Sequence, residues 1–243
     1  MKPLFIIPCA IMIGSKKEDY LERFFQLQHT IDSILSRFKE PTIHVYELSG
    51  NKIAGLFLND LSKNCQVYTS ENDQEVFSIK SGAKKVRLPV VDKIRPAYEK
   101  GYIKNATESM IICRALDKID PKEYDRIFKI TGRYFFNQDF ILDEHIRYGK
   151  ITLKNKSKCG HGKKYTKTDY LRSCMYWSAC TSMHKELKHG FKQIHNYIME
   201  HSDGRGIASI ENGLDLFFSD DLIHSIEHTG VSGRVDGQYF YVD

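Results

Sequence analysis

What this 243-residue chain lacks narrows it first. It carries no Walker loop, no Gly-x-Gly-x-x-Gly, no His-Glu-x-x-His and no Gly-x-Ser-x-Gly. Their absence argues against the common nucleotide hydrolases, dehydrogenases and esterases. It has no Pro-rich, Ser/Gly-rich or low-complexity run and no internal repeat, so residues 1–243 read as a single domain. No segment approaches transmembrane length. The apolar stretch 4–13 contains Pro8 and runs straight into Ser15-Lys16-Lys17-Glu18-Asp19, with no small-x-small cleavage site before the charges. It reads as a buried first strand, not as a signal peptide. None of the six cysteines (Cys9, Cys65, Cys113, Cys159, Cys174, Cys180) forms a Cys-x-x-Cys pair. Free thiols in a reducing, cytoplasmic setting are expected, and Cys159-Gly-His161 lacks the partner pair that a zinc site needs.

What is present is ordinary for a folded protein: 41% hydrophobic and 28% charged residues, with a generous 12% aromatic. The formal net charge of +5 is unevenly spread. Residues 147–192 hold twelve Lys and Arg against Asp169 and Glu186, about +10 in that segment alone. Such a stretch is a solvated face, a surface for phosphate-bearing or membrane-linked substrates, or a nucleic-acid patch.

Periodicity gives the order of elements. Residues 3–13 read as a buried strand, and 18–38 as a helix whose Leu21, Phe24, Leu27, Ile31, Ile34 and Phe38 recur at three- and four-residue steps. Pro41 follows. Strands are expected at 42–48, 65–68 and 126–131, with a short helix over 52–62. Asn105-Ala-Thr-Glu108 has the form of a capping box opening a helix to Ile119. Further helices are expected at 183–201 and 210–218, and a Tyr-rich strand in 230–243. Strand–helix alternation in the first half implies an α/β fold with a mostly parallel central sheet flanked by helices. In such sheets chemistry gathers at the carboxyl ends of strands.

Those ends supply the candidates. Pro8-Cys9-Ala10 closes the first strand, and Thr131-Gly132-Arg133-Tyr134 closes the strand Ile127-Phe-Lys-Ile130. Gly132 would admit close backbone approach, Arg133 a planar fork of donors for phosphate or carboxylate, and Tyr134 a stacking face or a hydroxyl. Lys100-Gly101 precedes the expected helix start at Asn105, where free N–H groups would suit an anion. Glu211 stands at a loop-to-helix junction, either as a general base or as a dipole-favoured first-turn residue. His228-Thr229-Gly230-Val231-Ser232-Gly233-Arg234 could wrap a diphosphate or form plain turns. His184, His189, His195 and His201 recur at steps that build no single helix face and read as solvated.

Taken in order, Phe5-Ile-Ile-Pro-Cys-Ala10, Glu47-Leu-Ser-Gly50, Lys100-Gly101 with Glu108-Ser109, Phe128-Lys-Ile-Thr-Gly-Arg-Tyr134, Ile210-Glu211 and Gly230-Val-Ser-Gly233 resemble a group of bacterial and viral polysaccharide glycosyltransferases of the A-type fold. The match spans nearly the whole chain as short islands, the Phe128–Tyr134 segment being the most distinctive. The resemblance implies one Rossmann-like domain, with a nucleotide-sugar-binding half over 1–140 and an acceptor-binding half over 141–243. It implies transfer of a sugar from a nucleotide-sugar donor to a saccharide or lipid-linked acceptor, by a cytoplasmic enzyme, peripheral at the inner membrane face if the basic segment meets anionic lipid. Pro8 to Ala10, Thr131 to Tyr134, Lys100 and Gly101 would line the donor site, Glu211 would stand near the acceptor as base, and His228 to Arg234 would hold the diphosphate. The family's Asp-x-Asp metal motif is missing: the region reads Thr-Gly-Arg-Tyr-Phe-Phe-Asn-Gln-Asp139. Either Arg133 and other cations neutralise the leaving group, or Asp139, His228 or a distant carboxylate completes a Mg or Mn site. The rival readings are a nucleic-acid-binding protein using 147–192, against which the lack of a recognised module interleaving aromatics with the basic run argues, and another sugar-nucleotide enzyme such as a nucleotidyltransferase.

Overall fold

A computed structural model describes residues 1–10, 17–49, 58, 61, 63–70, 72–83, 95–158, 170–171, 174–201, 208–235 and 238–241. Its core is a seven-stranded sheet in the order β10-β6-β9-β4-β1-β2-β3. The strands are β1 (Pro3–Cys9), β2 (Thr42–Glu47), β3 (Gln66–Thr69), β4 (Arg126–Ile130), β6 (Ile151–Lys154), β9 (Tyr176–Cys180) and β10 (Ile223–Ile226). β1, β2, β3 and β4 are mutually parallel, β6 and β10 pair in parallel, and β9 alone runs against its neighbours β4 and β6. The mostly parallel, helix-flanked sheet expected from strand–helix alternation is therefore the fold. It draws strands from both halves of the chain.

Alternation along β1 splits its side chains between two cores. Leu4 and Ile6 join Ile127 and Trp177 beneath the helices α3 (Arg95–Lys118), α5 (His184–His201) and α6 (Ile210–Phe217). Phe5 and Ile7 join Phe128 and Ile130 beneath α1 (Lys17–Leu35), where Phe5 stacks on Phe128 at 4.8 Å between ring centroids. A second sheet of three short strands, β5 (Tyr134–Phe136), β11 (Val231–Val235) and β12 (Gln238–Tyr241), closes the α1 side, and β7 (Ser157–Lys158) pairs antiparallel with β8 (Tyr170–Leu171). Its register sets Gly233 opposite Tyr134 and Val231 opposite Phe136.

Three sequence expectations change. The helix expected to open at Asn105 begins ten residues earlier, at Arg95, so Glu108 lies in its interior and no helix terminus is available there for an anion. Asn105 instead accepts the Ile210 amide (3.4 Å) and donates to the Gly101 carbonyl (2.9 Å), tying α3 to the start of α6. A helix α2 (Gln74–Ala83) and strand β10 were not signalled by periodicity. α1 stops at Leu35 rather than Phe38, although Phe38 remains buried against Phe5 and Phe128. The expected helix over 52–62 lies outside the described residues, apart from Leu58 and Leu61. No helix among the described residues is long and apolar enough to cross a membrane.

Candidate functional site at the carboxyl ends of the strands

The ends of β1, β2 and β4 are laced together by backbone. Gly132 N–H donates to the Pro8 carbonyl (3.0 Å), Leu48 N–H to the Cys9 carbonyl (2.8 Å), and Thr131 N–H to Met175 just before β9 (3.0 Å). Pro8 and Cys9 are buried, and Ala10 alone of that trio keeps partial exposure. A Cβ on Gly132 would meet Cys9 Cβ at 2.8 Å and Leu27 at 3.1 Å. Close packing of β4's end against β1 and α1 thus explains this glycine, and ligand approach is not needed to account for it.

Beyond β4 a polar cluster is assembled from four elements. Ile127 and Lys129 share the face of β4 turned to α3, so the Lys129 side chain enters the core with no exposure at all. Its ammonium meets Glu108 Oε1 at 2.6 Å, Thr131 Oγ1 at 2.9 Å and the Cys174 carbonyl. Three acceptors use all three donors of the amine, which a buried charge requires. Burial alone would raise the pKa of Glu108, but the charges of Lys129 and Lys104, the hydrogen bond from Lys129 and the charge of Arg133 outweigh it and hold the carboxyl below its usual range.

Glu211 closes the cluster from the opposite side. It lies in the first turn of α6, whose N-cap Ser209 accepts the Asn212 amide at 3.2 Å. The thiol of buried Cys174 donates to Glu211 Oε1 at 2.8 Å. Burial, with Glu211 and Glu108 nearby, pushes the Cys174 thiol well up, so it stays protonated and acts as the donor. Lys104, one helical turn before Glu108 on α3, is exposed. Its pKa is raised by Cys174 where that sulfur ionises and, despite desolvation, by the carboxylates of Glu108 and Glu211, with Arg133 opposing. The cluster is therefore a carboxylate and two cations, Lys104 and half-buried Arg133, set above a fully buried ion pair.

Of the residues singled out in the sequence, Thr131, Gly132, Arg133, Tyr134 and Glu211 meet here, and Gly101 stands one turn from Lys104. The side chains of Lys100 and Arg234 lie outside the described residues. Tyr134 offers no open stacking face: it is 2% exposed, and a Cβ on Gly233 would fall 2.3 Å from its ring. The run from Thr229 to Gly233 is buried in the β5–β11 pairing. Gly230 adopts φ +59 against the backbone of Phe140, and Ser232 accepts Asn137 Nδ2 at 2.8 Å. These residues stand as packed turn and strand beside Tyr134 and Phe136, not as an open loop. His228 is exposed in a separate groove with Asp143, Glu144, Arg147, His224 and Glu227. The helix α5 histidines are not all solvated: His184 contacts the Leu116 carbonyl (2.7 Å) and His195 contacts Ser109 (3.0 Å).

A divalent cation at this end of the sheet would need carboxylate oxygens facing the diphosphate. Among the described residues no group of three or more His, Cys, Asp or Glu is arranged to hold a metal. Glu108 is engaged by Lys129, Glu211 Oε1 by Cys174, and Asp139 is exposed beyond Asn137. The described residues thus form no ready-made cage of three or more ligands for Mg or Mn at this end of the sheet. Cys159 and His161 lie outside the described residues. In the basic segment, Lys150 donates to the Asp221 carbonyl, Lys156 pairs with Asp215 (3.2 Å) and Lys188 with Asp117 (2.5 Å). Part of its charge is thus committed within the fold.

Three participants escaped the sequence reading: Lys104, Lys129 and Cys174. Lys129 carried a usable signal, a lysine inside the apolar run Ile127-Phe-Lys-Ile130, because a buried strand tolerates a charge only with a buried partner. Lys104 and Glu108 stand at the i, i+4 spacing of one helix face. Cys174 had no signal.

No family model matches this sequence, and no curated protein matches it. Among solved structures, mouse xyloside xylosyltransferase 1 in its apo form is 11% identical, over 93% of this chain and 84% of that one, with a TM-score of 0.44. The 4-diphosphocytidyl-2C-methyl-D-erythritol synthase from Anaerococcus prevotii DSM 20548 is 13% identical, over 99% of this chain and 91% of that one, with a TM-score of 0.50. At such identity the likeness to the synthase is one of architecture, and it shows that this chain has the same kind of mainly parallel, helix-flanked α/β fold.

Proposed function

We propose that this protein is a glycosyltransferase that moves a sugar from a nucleotide donor to a saccharide or lipid-linked acceptor hydroxyl. The observation that carries the proposal is that Lys104 lies within electrostatic range of both Arg133 and Glu211, beside the Cys174–Glu211 contact beyond the carboxyl end of β4. In this reading the acceptor oxygen bonds to the anomeric carbon as the bond from that carbon to the donor phosphate breaks. The hydroxyl proton passes to Glu211, and the nucleotide leaves with the bonding electrons, its charge met by Lys104 and Arg133. The buried Lys129–Glu108 pair contacts no substrate and fixes the floor. The first half of the chain, to about residue 140, takes the donor, and the second half takes the acceptor. The uncommitted charge of 147–192 would face a phosphorylated or lipid-linked acceptor at an anionic inner membrane surface.

A nucleotidyltransferase is the second reading, favoured by the architecture shared with the synthase. It differs in product: pyrophosphate leaves, and attack by a phosphate oxygen needs no carboxylate base, which leaves Glu211 unexplained. A thermal-shift panel of UDP-, GDP-, CMP- and dTDP-sugars, with and without Mn²⁺, tests both. One donor class should raise Tm, since binding to the native state stabilises it. Glu211→Gln should keep that shift and lose turnover at least a hundredfold. No shift from any donor, or full turnover by Glu211→Gln, sinks the glycosyltransferase reading, and pyrophosphate as product replaces it with the second.

A further inference from the structure

General base catalysis needs one oxygen of the carboxylate free to take a proton and pointed at the hydroxyl that gives it. Glu211 sits half-buried in the first turn of a helix, and a glutamate there has three rotatable bonds to be fixed. The structure supplies the selection. Oε1 accepts the Cys174 thiol at 2.8 Å, and Oε2 takes no hydrogen bond among the described residues. Cys174 is in turn fixed by its own carbonyl, which accepts the ammonium of Lys129, and Lys129 is locked by Glu108 and Thr131. An unbroken chain of contacts thus runs from the buried ion pair to the exposed end of the cluster.

We infer that Cys174 is a positioning residue: its thiol pins Oε1 of Glu211 and so presents Oε2 to the acceptor hydroxyl. This rests on the reading of Glu211 as the base. The choice of sulfur has a physical sense. A thiol is a weak donor, whereas a hydroxyl or ammonium in its place would stabilise the carboxylate more and weaken it as a base. The other groups facing Glu211 are few. Lys104 approaches from α3, Cys174 from the segment before β9, and Glu108, Lys129 and Arg133 act on these two at longer range. Cys174 is 2% exposed, so its part is played inside the protein and not as a reactive surface thiol.

The S–H stretching band in the infrared reports this contact without any substrate. The band of Cys174 is the one lost in the difference between wild type and Cys174→Ser. It should lie at lower frequency than the bands of the other thiols, move upward in Glu211→Gln, and shift with pH in wild type but not in that variant. In turnover with the donor that stabilises the protein, Cys174→Ala should lower kcat roughly tenfold to a hundredfold with the donor KM nearly unchanged, as displacement of a catalytic group does. Cys174→Ser should recover most of kcat and move the acid limb of the pH profile downward. A Cys174 band that ignores Glu211→Gln overturns the inference, as does a wild-type pH profile in Cys174→Ser when Glu211→Gln is inactive. Should Cys174→Ala fail to fold, the band and the serine variant decide. Full turnover by Glu211→Gln would instead sink the base reading, whatever the band does.

Discussion

A lysine with no exposed surface is a liability unless its charge is met, and Lys129 shows how closely the fold answers that demand. Its salt bridge to Glu108 is buried on both sides, at 0% and 4% side-chain exposure. Replacing one partner strands the other, which costs about 3–5 kcal/mol, whereas removing both charges is far cheaper. Glu108→Gln and Lys129→Met should each lose stability of that size in urea denaturation, and Glu108→Leu with Lys129→Met should recover most of it. Equal losses that simply add in the double variant would show that the two side chains do not act as a pair. In the sequence, Phe128-Lys-Ile-Thr-Gly-Arg-Tyr134 stands out by its strand-end residues Thr131 to Tyr134, while Lys129 is the charge inside its apolar run. A sequence shows that a charge lies in an apolar run, but which of several acidic residues answers it depends on the packing of α3 over β4.

At the scale of elements, two helices and a short turn carry testable detail. α5 and α6 approach closely because glycines face the contact: a Cβ on Gly190 would meet the Phe218 ring at 2.3 Å, and one on Gly213 would meet Ile194 at 2.6 Å. Gly213 lies two residues after Glu211, so Gly213→Ala should both destabilise by about 1–3 kcal/mol and lower turnover by shifting the helix start. Loss of stability with unaltered turnover would separate α6 packing from the site. The turn α4 (Leu142–His145) buries His145 completely, with Nδ1 on the Tyr176 hydroxyl at 2.8 Å. Burial, then the charges of Arg126 and His224, push its pKa down to about 3. A histidine depressed in the folded state binds fewer protons there than when unfolded, so it adds stability above about pH 6.5 that is lost as pH falls toward 3. His44, His195 and His224 are lowered too, so the wild-type slope exceeds that of one group. Between pH 6.5 and 5, His145→Gln should flatten ΔG against pH by an amount that grows to about 1.4 kcal/mol per unit near pH 5, and an unaltered slope would mean that His145 titrates normally. Periodicity found α5 and α6 nearly to the residue, because each presents one apolar stripe to one core. It failed for α3, whose capping signal at Asn105 is a tertiary contact to α6, a bond invisible to local spacing.

Across the whole molecule the sheet is a partition with a core on each side. The alternation Leu4, Phe5, Ile6, Ile7 sends successive side chains of one strand into different cores, and β4 does the same with Ile127 and Phe128. Strand–helix alternation made the parallel sheet legible, but not the place of β9, which enters antiparallel between β4 and β6 from a stretch of short, irregular strands. Nor could it foresee β10, whose four residues Ile223–Ile226 are too few for a periodic signal. Since β1 and β4 belong to both cores, neither core can lose its packing while the other stays intact. The single tryptophan, Trp177, lies in the α3 core at 1% exposure, 5.4 Å from the Phe191 ring centroid, and reports that side alone. Its fluorescence and the far-ultraviolet circular dichroism of all helices should therefore trace one urea transition with one midpoint. Phe5→Ala, cut from the α1 core, should lower that midpoint by the equivalent of about 3–5 kcal/mol and move the Trp177 signal with it, although Phe5 belongs to the opposite core. A tryptophan transition left in place by Phe5→Ala would show two units that unfold separately, and the shared strands would then be a seam between them.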